Sequence, residues 1–492
     1  MLTRLLPGLF LLWLHLSSSA QPLQLYGPNP HYLAYRGKPI LLVGSGEHYG
    51  AVVNLDFDYQ TYLRATAADG LNTTRLFTGA YVEKLGDFGI QKNTLAPAAG
   101  RLILPWKRGN QPGYALGGNK FDLTGWDEAY FSRLADFMTA AQQQGVIVEI
   151  NLFSSHYGGG WNYSAFNPAN NVNRTDSVAS TQVNTLQNGN ILAHQERYVR
   201  ELVRRLNRFD NVYFEIQNEP WADQTDVVRV RNEYGPASDW RNTLQVVSQR
   251  SNDWQRRVAQ WIVEEERALP LKHLISQDIS NFHYPITNPD PNISIFTFHY
   301  SDPETVRENA YLNKVIGFNE TGFAGAADST YRRQAWRFML GGGGLFNQLD
   351  YSYAVGSEAG TDSVGTSPGG GGAALRAQFK VLKTFAEQIN IFQLQPDYTV
   401  VRAAPGTQTW AMSDGKTRWA IYCETLATQP QPLMLNLPAG TYTAQWLDAK
   451  TGRLVATEQV VNGTVRAPAG WADRVVLVQR NRSAGAAAPL RR

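Results

Sequence analysis

The sequence predicts an α/β protein in which a (β/α)8 TIM barrel is followed by a small C-terminal β-sandwich. Between about residues 38 and 392, eight apolar β-rich runs alternate with patterns typical of amphipathic helices. These runs are nearly continuous in apolar residues, as in parallel strands that are covered on both faces. From about residue 396 the pattern changes to short alternating strands separated by Gly, Pro and Asp-Gly turns, which is typical of a sandwich.

Eight strand–helix repeats in this length of chain are typical of a TIM barrel. The eight predicted strands are, in chain order, PILLVG, LNTTRLF, GVIVEINLF, NVYFEIQN, KHLISQD, ISIFTFHY, KVIGFNE and GGLFNQLDY. Helices with apolar residues recurring at three and four positions, such as WDEAYFSRLADFMTAAQQQG, lie between them. In the fifth repeat the segment NFHYPITNPDPN is loop-like, so we expect its helix to be short or missing.

The predicted loops are long on one side of the barrel only. They follow strands two, three, four and eight, at about residues 79–124, 154–190, 220–240 and 351–372. Segments that lead from a helix into the next strand are short. Strand-to-helix loops form the C-terminal face of a barrel, which holds the active site, and we therefore expect a cleft there.

The N-terminus has the pattern of an export signal. Arg4 precedes the apolar run LLPGLFLLWLHL, and small residues follow up to Ala20. The run is too short for a typical membrane span, although an uncleaved anchor stays open as an alternative. We expect a secreted or periplasmic protein that begins near Gln21 and is free of the membrane after cleavage.

The predicted domain organisation has four parts. They are a signal peptide at 1–20, a catalytic barrel at 21–392, a β-sandwich at 396–480 and a disordered tail at 481–492.

The composition excludes some classes of protein. The 45 basic and 42 acidic residues give a net charge of +3, without the clustered basic face that a nucleic-acid-binding protein needs. The single cysteine, Cys423, excludes an intrachain disulfide. Aromatic residues make up 12% of the chain, which suits stacking on sugars as well as core packing.

Two carboxylates lie at the ends of predicted strands. Strand four ends in Asn218 and Glu219, and strand seven ends in Glu320. A carboxylate at a strand end is costly to bury unless it has a partner or a function. Strands four and seven can face each other across a barrel mouth, and two carboxylates that flank a cleft are what glycoside hydrolysis requires.

The chain resembles the clan A glycoside hydrolases, in particular glycoside hydrolase family 5 and related cellulase-like proteins. The resemblance covers roughly residues 38–392 and rests on four motifs: NEP closing strand four, Glu320 closing strand seven, Arg75 in NTTRLF, and FHY on strand six. It implies a retaining mechanism with Glu219 as general acid/base and Glu320 as nucleophile. No metal or organic cofactor is expected.

Further residues of the resembling motifs are expected in the site. Arg75 would lower the pKa of the nucleophile, or would instead form an interior ion pair with Glu149 or Glu215. Asn218 would bind the sugar 2-hydroxyl; the alternative is that Asn218 and Glu219 cap a helix after strand four.

Strand six ends in the adjacent pair His299 and Tyr300, whereas the related proteins separate their His and Tyr by one residue. Neighbours on a strand point to opposite sides, so we expect one of the two to face the cleft and favour Tyr300, without excluding His299. The family's strand-eight Trp is not evident, and Phe346, Tyr351 or Tyr353 would replace it as a sugar platform.

Other polar and aromatic residues lie near strand ends. Glu47 and His48 follow strand one, and His156 follows strand three; each would line the sugar subsite or be a loop residue bonded to the backbone. Trp161 and Trp221 are candidates for stacking on sugar, with plain packing as the alternative.

The sequence therefore predicts a secreted retaining glycoside hydrolase that cleaves a poly- or oligosaccharide by double displacement. The alternative is a catalytically weak barrel in which the cleft or the β-sandwich binds glycan. A metal-dependent barrel hydrolase would need a His-x-His motif on strand one, where only Glu47 and His48 occur. The sugar, the linkage, internal or terminal cleavage and the oligomeric state stay open.

Overall fold

The computed structural model describes residues 21–223, 225–236, 239–365, 367–425, 432–468 and 473–481. The predicted signal peptide and residues 482–492 of the predicted tail lie outside the described residues. Eight parallel strands form a nearly closed barrel, and two further sheets follow it in the chain. The predicted TIM barrel with a C-terminal β-sandwich is confirmed.

The barrel strands run parallel in the order β1-β8-β7-β6-β5-β4-β3-β2. Their bounds are β1 Leu42–Gly46, β2 Thr73–Phe77, β3 Ile147–Ser154, β4 Val212–Asn218, β5 Ile275–Ser280, β6 Ile295–His299, β7 Val315–Glu320 and β8 Leu345–Leu349. All of these strand residues are buried, because helices or loops cover the outside and side chains fill the inside.

In the part of the chain that the structure describes, seven helices cover the barrel, and a further short helix, Ser180–Val183, lies in the loop after β3. Their bounds are α1 Tyr59–Ala68, α2 Glu128–Gln144, α3 Ile191–Leu206, α4 Gln249–Glu266, α5 Glu304–Asn309, α6 Asp328–Leu340 and α7 Ala373–Gln388. Residues 281–294, between β5 and β6, are all described and contain no helix, as the loop-like sequence predicted. Among the described residues, no helix has the length and apolar character needed to cross a bilayer.

The seam between β1 and β2 is closed by a side chain. Asn72 precedes β2; its amide nitrogen donates to the Leu41 carbonyl (2.9 Å), and its amide oxygen accepts from the Val43 N–H (3.0 Å). The Asn72 N–H also donates to the Val43 carbonyl at 3.2 Å. The Asn72 side chain thus provides hydrogen bonds that a backbone ladder between β1 and β2 would otherwise provide. It closes the barrel, and the ends of the barrel strands carry the site.

The bottom of the barrel is covered by a small N-terminal sheet of Gln24–Leu25, Leu33–Tyr35 and Lys38–Ile40. Leu23 and Leu33 pack there against Leu42, Tyr213 and other residues at the beginnings of the barrel strands. The single predicted strand PILLVG was therefore wrong in its bounds. Its first residues belong to this bottom sheet, and only Leu42–Gly46 enters the barrel.

Two hairpins extend from the C-terminal side of the strands. One joins Trp106–Pro112 to Asn119–Trp126, and the other joins Thr225–Val230 to Thr243–Val247. The second hairpin pairs antiparallel with β5 at Val246 and Ser280. Both lie in segments that the sequence predicted as long loops on this face.

The C-terminal sandwich contains a six-stranded and a three-stranded sheet. Its strands are Gln395–Pro396, Val401–Ala403, Thr407–Ser413, Arg418–Thr425, Pro432–Leu435, Tyr442–Asp448, Leu454–Gln459, Thr464–Arg466 and Asp473–Arg480. Trp419, Ile421 and Val476 are among the residues of its own core. The sandwich packs on α6, where Trp336 stacks on Tyr422 with ring centroids 5.5 Å apart.

Candidate active site

Glu219 follows β4 directly and adopts a left-handed backbone conformation, with φ 48° and ψ 52°. This conformation is uncommon outside glycine and clusters at functional sites. It is held from both sides, because the Glu219 N–H donates to Asp278 Oδ2 (3.0 Å) and its carbonyl accepts from Ser155 Oγ (2.6 Å). The turn that follows has no side-chain cap from Glu219, so the alternative of a helix cap is wrong.

The Glu219 carboxyl group has one neighbour at each oxygen. His299 Nδ1 lies 2.8 Å from Oε1, and the Tyr157 hydroxyl donates to Oε2 at 2.5 Å. The side chain keeps 14% of its surface exposed. The carboxyl group is therefore fixed in orientation and still reachable from solvent.

Glu320 ends β7, and three donors surround its carboxylate. Arg75 Nη1 (2.9 Å) and the Tyr49 hydroxyl (3.0 Å) donate to Oε2, and the Tyr300 hydroxyl donates to Oε1 (2.7 Å). Burial alone would raise the pKa of Glu320. The charges on His299 and Arg75 and the Tyr300 hydrogen bond outweigh it, so the pKa lies below its ordinary value. Glu320 is consequently an ionised, oriented carboxylate.

The two carboxyl groups meet in one cavity of about 190 Å³ at the C-terminal ends of the strands. One oxygen of Glu219, one oxygen of Glu320 and a ring nitrogen of His299 all lie within 4.8 Å of one another. Retaining glycosidases need carboxyl groups about 5–5.5 Å apart, whereas inverting ones leave room for a water molecule between them. The spacing is therefore that of a retaining pair.

Arg75 is fully buried and fulfils both roles that the sequence left open. It donates to Glu320 in the site, and its Nη2 donates to Glu215 Oε1 at 2.6 Å. Its Nε lies 3.4 Å from Glu149 Oε2. Nη2 also donates to Asn218 Oδ1 (3.0 Å), so the interior ion pairs and the site form one network.

His299 and Tyr300 both reach the carboxylates, although they are adjacent in sequence. β6 ends at His299, and Tyr300 has a positive φ of 49°, which breaks the alternation of a strand. Tyr300 lines the cavity, as favoured, while the fully buried His299 lies behind Glu219. Tyr300 is thus the one of the pair that faces the cavity, as expected, although both side chains contact the carboxyl groups.

His299 also approaches a carboxylate that the sequence did not single out. Its Nε2 lies 3.1 Å from Asp278 Oδ2, as an ion pair rather than an aligned hydrogen bond. Burial alone would lower the pKa of His299. The charges of Asp278 and Glu320 and the contacts with Asp278 and Glu219 raise it well above its ordinary value. The imidazole therefore carries a positive charge between carboxylates.

The structure places three of the seven other predicted site residues at the cavity. His48, Asn218 and Trp221 line it together with Glu219, Tyr300 and Glu320. Trp221 packs edge-on against His299, with ring centroids 5.2 Å apart. Asn218 donates from Nδ2 to the Tyr157 hydroxyl at 3.0 Å.

Glu47 and Tyr351 were expected at the cavity and lie behind its wall. Glu47 is fully buried and accepts from the Gly50 N–H (3.0 Å) and the Ala51 N–H (3.3 Å), so it shapes the loop after β1. Burial raises the pKa of Glu47 to about 7, despite hydrogen bonds that lower it. The Tyr351 ring lies behind His48, with ring centroids 6.1 Å apart.

His156 and Trp161 were likewise expected at the cavity, and they pack behind it. Their ring centroids are 5.1 Å apart. Burial lowers the pKa of His156 to about 3, so its ring is neutral. Its backbone N–H donates to Asp223 Oδ1 at 3.0 Å, which makes it a buried loop residue, as the alternative allowed.

Several cavity residues were missed by the sequence reasoning. Among them, Tyr49 and Tyr157 donate to the two carboxyl groups, Glu83 lies 3.1 Å from His48 Nε2, and Trp240 packs on Tyr300 at 4.4 Å. Tyr49 and Tyr157 each directly follow a predicted site histidine, and this adjacency was a usable signal. Glu83 and Trp240 lie deep in long loops, where position gives no such signal.

Two clusters in the described residues have the spacing of metal ligands. They are Glu215, Asp278 and His299, and Glu219, His299 and Glu320. Their ligand atoms are already engaged, since Arg75 donates to Glu215 and Glu320 while His299 pairs with Asp278. A cation would have to displace these donors, and the cluster therefore suits proton transfer and nucleophilic attack better than metal binding.

A TIM barrel with a carboxylate pair at retaining distance on β4 and β7 defines a retaining O-glycoside hydrolase. Residues 35–336 match the family model described as Cellulase (glycosyl hydrolase family 5). Because the match spans more than half of the chain, the protein belongs to glycosyl hydrolase family 5.

Solved structures with a similar fold include a putative glycoside hydrolase from Bacteroides vulgatus ATCC 8482, with a TM-score of 0.61 and 12% identity over 94% of this chain and 83% of that one. A family 5 glycoside hydrolase from the same organism has a TM-score of 0.60 and 13% identity over 93% of each chain. Another structure, described as a glycoside hydrolase, has a TM-score of 0.60 and 14% identity over 94% of this chain and 98% of that one. At these identities the similarity is one of fold. No curated protein matches the chain.

Proposed function

We propose that the protein hydrolyses O-glycosidic bonds of a poly- or oligosaccharide by double displacement, with Glu320 as nucleophile and Glu219 as general acid/base. The observation that carries this proposal is that one oxygen of Glu219 lies within 4.8 Å of one oxygen of Glu320, combined with the different neighbours of the two carboxyl groups. Glu320 has the buried Arg75 guanidinium on one oxygen, and Glu219 has the Tyr157 hydroxyl and His299.

In the first step, a Glu320 oxygen attacks the anomeric carbon and the bond to the leaving oxygen breaks. The Glu219 carboxyl group gives its proton to that oxygen, so the aglycone leaves as an alcohol. In the second step, Glu219 accepts a proton from water, which attacks the same carbon and releases Glu320 as a carboxylate. Two inversions give overall retention.

The cavity supports a carbohydrate substrate. Aromatic rings, among them Trp221, Trp240, Tyr300 and Phe323, form much of its lining. Such rings cover the C–H faces of sugars, while Asn218, Glu83 and His48 provide hydrogen-bonding groups in the same wall. We expect Asn218 to bind the sugar 2-hydroxyl next to the nucleophile, an interaction that strengthens in the transition state.

Azide rescue tests the two roles. Glu320→Ala and Glu219→Ala should each lose nearly all turnover. With azide and an activated aryl glycoside, Glu320→Ala should form a glycosyl azide of inverted configuration. Glu219→Ala should form one of retained configuration, because azide then attacks the glycosyl-enzyme.

The matched control for azide rescue is Glu387→Ala, which removes an exposed carboxylate on α7 and should change nothing. Full activity in either site variant, or the opposite pattern of azide products, contradicts the assignment.

We also propose that the protein is exported and acts on extracellular polysaccharide. The basic residue, apolar run and small residues at 1–20 support export. N-terminal sequencing of the protein recovered from the culture medium or periplasm should begin near Gln21. A protein that stays in the cytoplasm with an intact N-terminus contradicts this proposal.

A further inference from the structure

Asp278 lies beneath the site and contacts Glu219 by two routes. It is fully buried near the end of β5. Its Oδ2 accepts from the Glu219 N–H (3.0 Å) and lies 3.1 Å from His299 Nε2. The other nitrogen of that ring, Nδ1, is 2.8 Å from Glu219 Oε1. One carboxylate therefore touches both the backbone of Glu219 and the ring that contacts its side chain.

The hydrogen bond from the Glu219 N–H to Asp278 stabilises an unfavourable backbone conformation. Glu219 is in the left-handed region, which is unfavourable for a residue with a Cβ atom. Such a conformation persists only where its surroundings determine it. The Asp278 carboxylate binds the N–H side of Glu219, and the Ser155 hydroxyl binds its carbonyl side. Without Asp278, the N–H of Glu219 would lose its buried partner.

The side-chain route depends on the same carboxylate. His299 is fully buried, with Trp221 packed edge-on against its ring. A buried positive ring needs a compensating charge. The Asp278 carboxylate supplies it, because its Oδ2 lies 3.1 Å from Nε2, the ring nitrogen that faces away from Glu219. In the positively charged ring both nitrogens carry a proton, so Nδ1 donates to Glu219 Oε1. This contact fixes the rotation of the Glu219 carboxyl group. Thr297 Oγ1 donates to Oδ1 of Asp278 and fixes it in turn.

We propose that Asp278 is the positioning residue of the acid/base: through the Glu219 amide and the His299 ring it holds the Glu219 carboxyl group where it can protonate the leaving oxygen. The inference rests on the proposed function, in which Glu219 is the acid/base. Asp278 does not line the cavity, and its link to Glu320 runs through the His299 ring, whose Nδ1 lies 3.8 Å from Glu320 Oε1. Its effect should therefore be largest in steps that need proton transfer by Glu219.

Leaving-group dependence tests this selectivity. A 2,4-dinitrophenyl glycoside departs without a proton, whereas a phenyl glycoside requires the acid. The sugar is the one that the wild-type enzyme accepts from a panel of aryl glycosides. For Asp278→Asn we expect kcat/KM to fall by about 10- to 100-fold on the phenyl glycoside and by less than about threefold on the dinitrophenyl glycoside, because general acid catalysis contributes roughly 10²–10⁴-fold in total.

Asp278→Ala separates the two routes. Asparagine can still accept from the Glu219 N–H, whereas alanine removes both contacts, so Asp278→Ala should show the larger phenyl-specific loss. Glu149→Gln is the matched control. It removes another buried interior charge, whose carboxylate contacts Arg75 and Asn319, and any loss should be equal for the two glycosides.

Equal loss on both glycosides in Asp278→Asn, or no loss on either, overturns the inference. Because Asp278→Ala removes a buried charge partner, circular dichroism checks the fold of each variant. If Asp278→Ala does not fold, the near-isosteric Asp278→Asn decides the outcome alone. A wild-type enzyme that accepts none of the aryl glycosides would instead count against the proposed function.

Discussion

The charge state of Glu320 is set by side chains from several barrel strands. Arg75 comes from β2, Tyr49 from the loop after β1, and Tyr300 follows β6. Each donates to one of the two carboxylate oxygens. The pKa of the nucleophile is therefore a property of the assembled barrel mouth, and removal of single donors should change it separately.

Tyr300→Phe should move the pH dependence of activity. The Tyr300 hydrogen bond lowers the pKa of Glu320, so its loss raises that pKa. Because attack needs the ionised carboxylate, the acidic limb of kcat/KM should shift to higher pH. We expect kcat/KM at the optimum to fall by about 10-fold or more, because a hydrogen bond to a charged group contributes about 1.5–3 kcal/mol.

The measurement is a pH profile of kcat/KM on an activated aryl glycoside. Tyr59→Phe is the control, because that hydroxyl donates to Asp136 at the protein surface, and its profile should match the wild type. An acidic limb that stays in place, or moves to lower pH, would show that Tyr300 does not stabilise the ionised nucleophile.

Arg75→Met should destabilise the protein as well as inactivate it. Arg75 is the buried cation among Glu149, Glu215 and Glu320. Removal of one partner of a buried ion pair leaves uncompensated charge and costs about 3–5 kcal/mol. The free energy of unfolding in urea measures this, with Arg101→Met, in a surface pair with Asp56, as the control. A loss under about 1 kcal/mol contradicts the role of Arg75 in the interior network.

At the residue scale, position in the barrel repeat was enough to predict the two carboxylates and Arg75. Asp278 was missed although it closes the predicted strand KHLISQD, a position like that of Glu320 in KVIGFNE, so the sequence did carry a signal there. Strand parity favoured Tyr300, which does line the cavity, but it did not show that the adjacent His299 also reaches the carboxylates, because a left-handed residue after β6 ends the alternation. Glu219 and Tyr300 both have a positive φ, which ends the strand conformation and directs their side chains to the site. The pattern of apolar and polar residues in the sequence does not show such a change of backbone conformation.

At the scale of elements, the eight strands form the scaffold that brings residues 101 positions apart to one cavity. The seam between β1 and β2 is a weak point of this scaffold, because the Asn72 side chain supplies part of its hydrogen bonding. β1 carries the loop of His48 and Tyr49, so the seam connects barrel closure to the site.

Asn72→Ala should lower the free energy of unfolding by about 2–3 kcal/mol, because it leaves the Leu41 carbonyl and the Val43 N–H without their side-chain partner. Chemical denaturation measures this. Asn232→Ala, at an exposed position in the hairpin, should stay within about 0.5 kcal/mol of the wild type. Equal stability of the two variants would mean that the seam does not depend on Asn72.

The sequence predicted the barrel strands and the missing helix between β5 and β6 because apolar periodicity reports burial. It did not predict the hairpins at 106–126 and 225–247. In the first hairpin, Trp106–Pro112 is mostly exposed and reads WKRGNQP, so it has little apolar pattern. In the second hairpin, Thr243–Val247 is mostly buried but follows a segment that was predicted as a long loop. Trp240, which packs on Tyr300, belongs to this unpredicted part of the cavity.

At the scale of the whole molecule, the sandwich is anchored to α6. Arg332 donates to both oxygens of Asp473 at 2.8 Å, and Trp336 Nε1 donates to the Ala449 carbonyl at 3.1 Å. Both Arg332 and Asp473 are buried. A buried, paired interface of this kind should couple the unfolding of the two parts.

We therefore expect one cooperative calorimetric transition for barrel and sandwich together. Trp336→Ala should lower the Tm of that transition, because it removes a buried ring from the interface and a core Trp→Ala change costs about 3–5 kcal/mol. Trp126→Ala, at a half-buried position in the first hairpin, serves as the control and should have a smaller effect. Two resolved transitions in the wild type would contradict coupled unfolding.

The most direct test of the account is to trap the glycosyl-enzyme. A 2-deoxy-2-fluoro glycosyl fluoride of the accepted sugar slows the second displacement, and peptide mapping by mass spectrometry then locates the label. We expect stoichiometric labelling of Glu320, longer-lived in Glu219→Ala because the base of the second step is missing, and absent from Glu320→Gln. Labelling of any other residue, or turnover without a covalent intermediate, would contradict the assignment of Glu320 as the nucleophile.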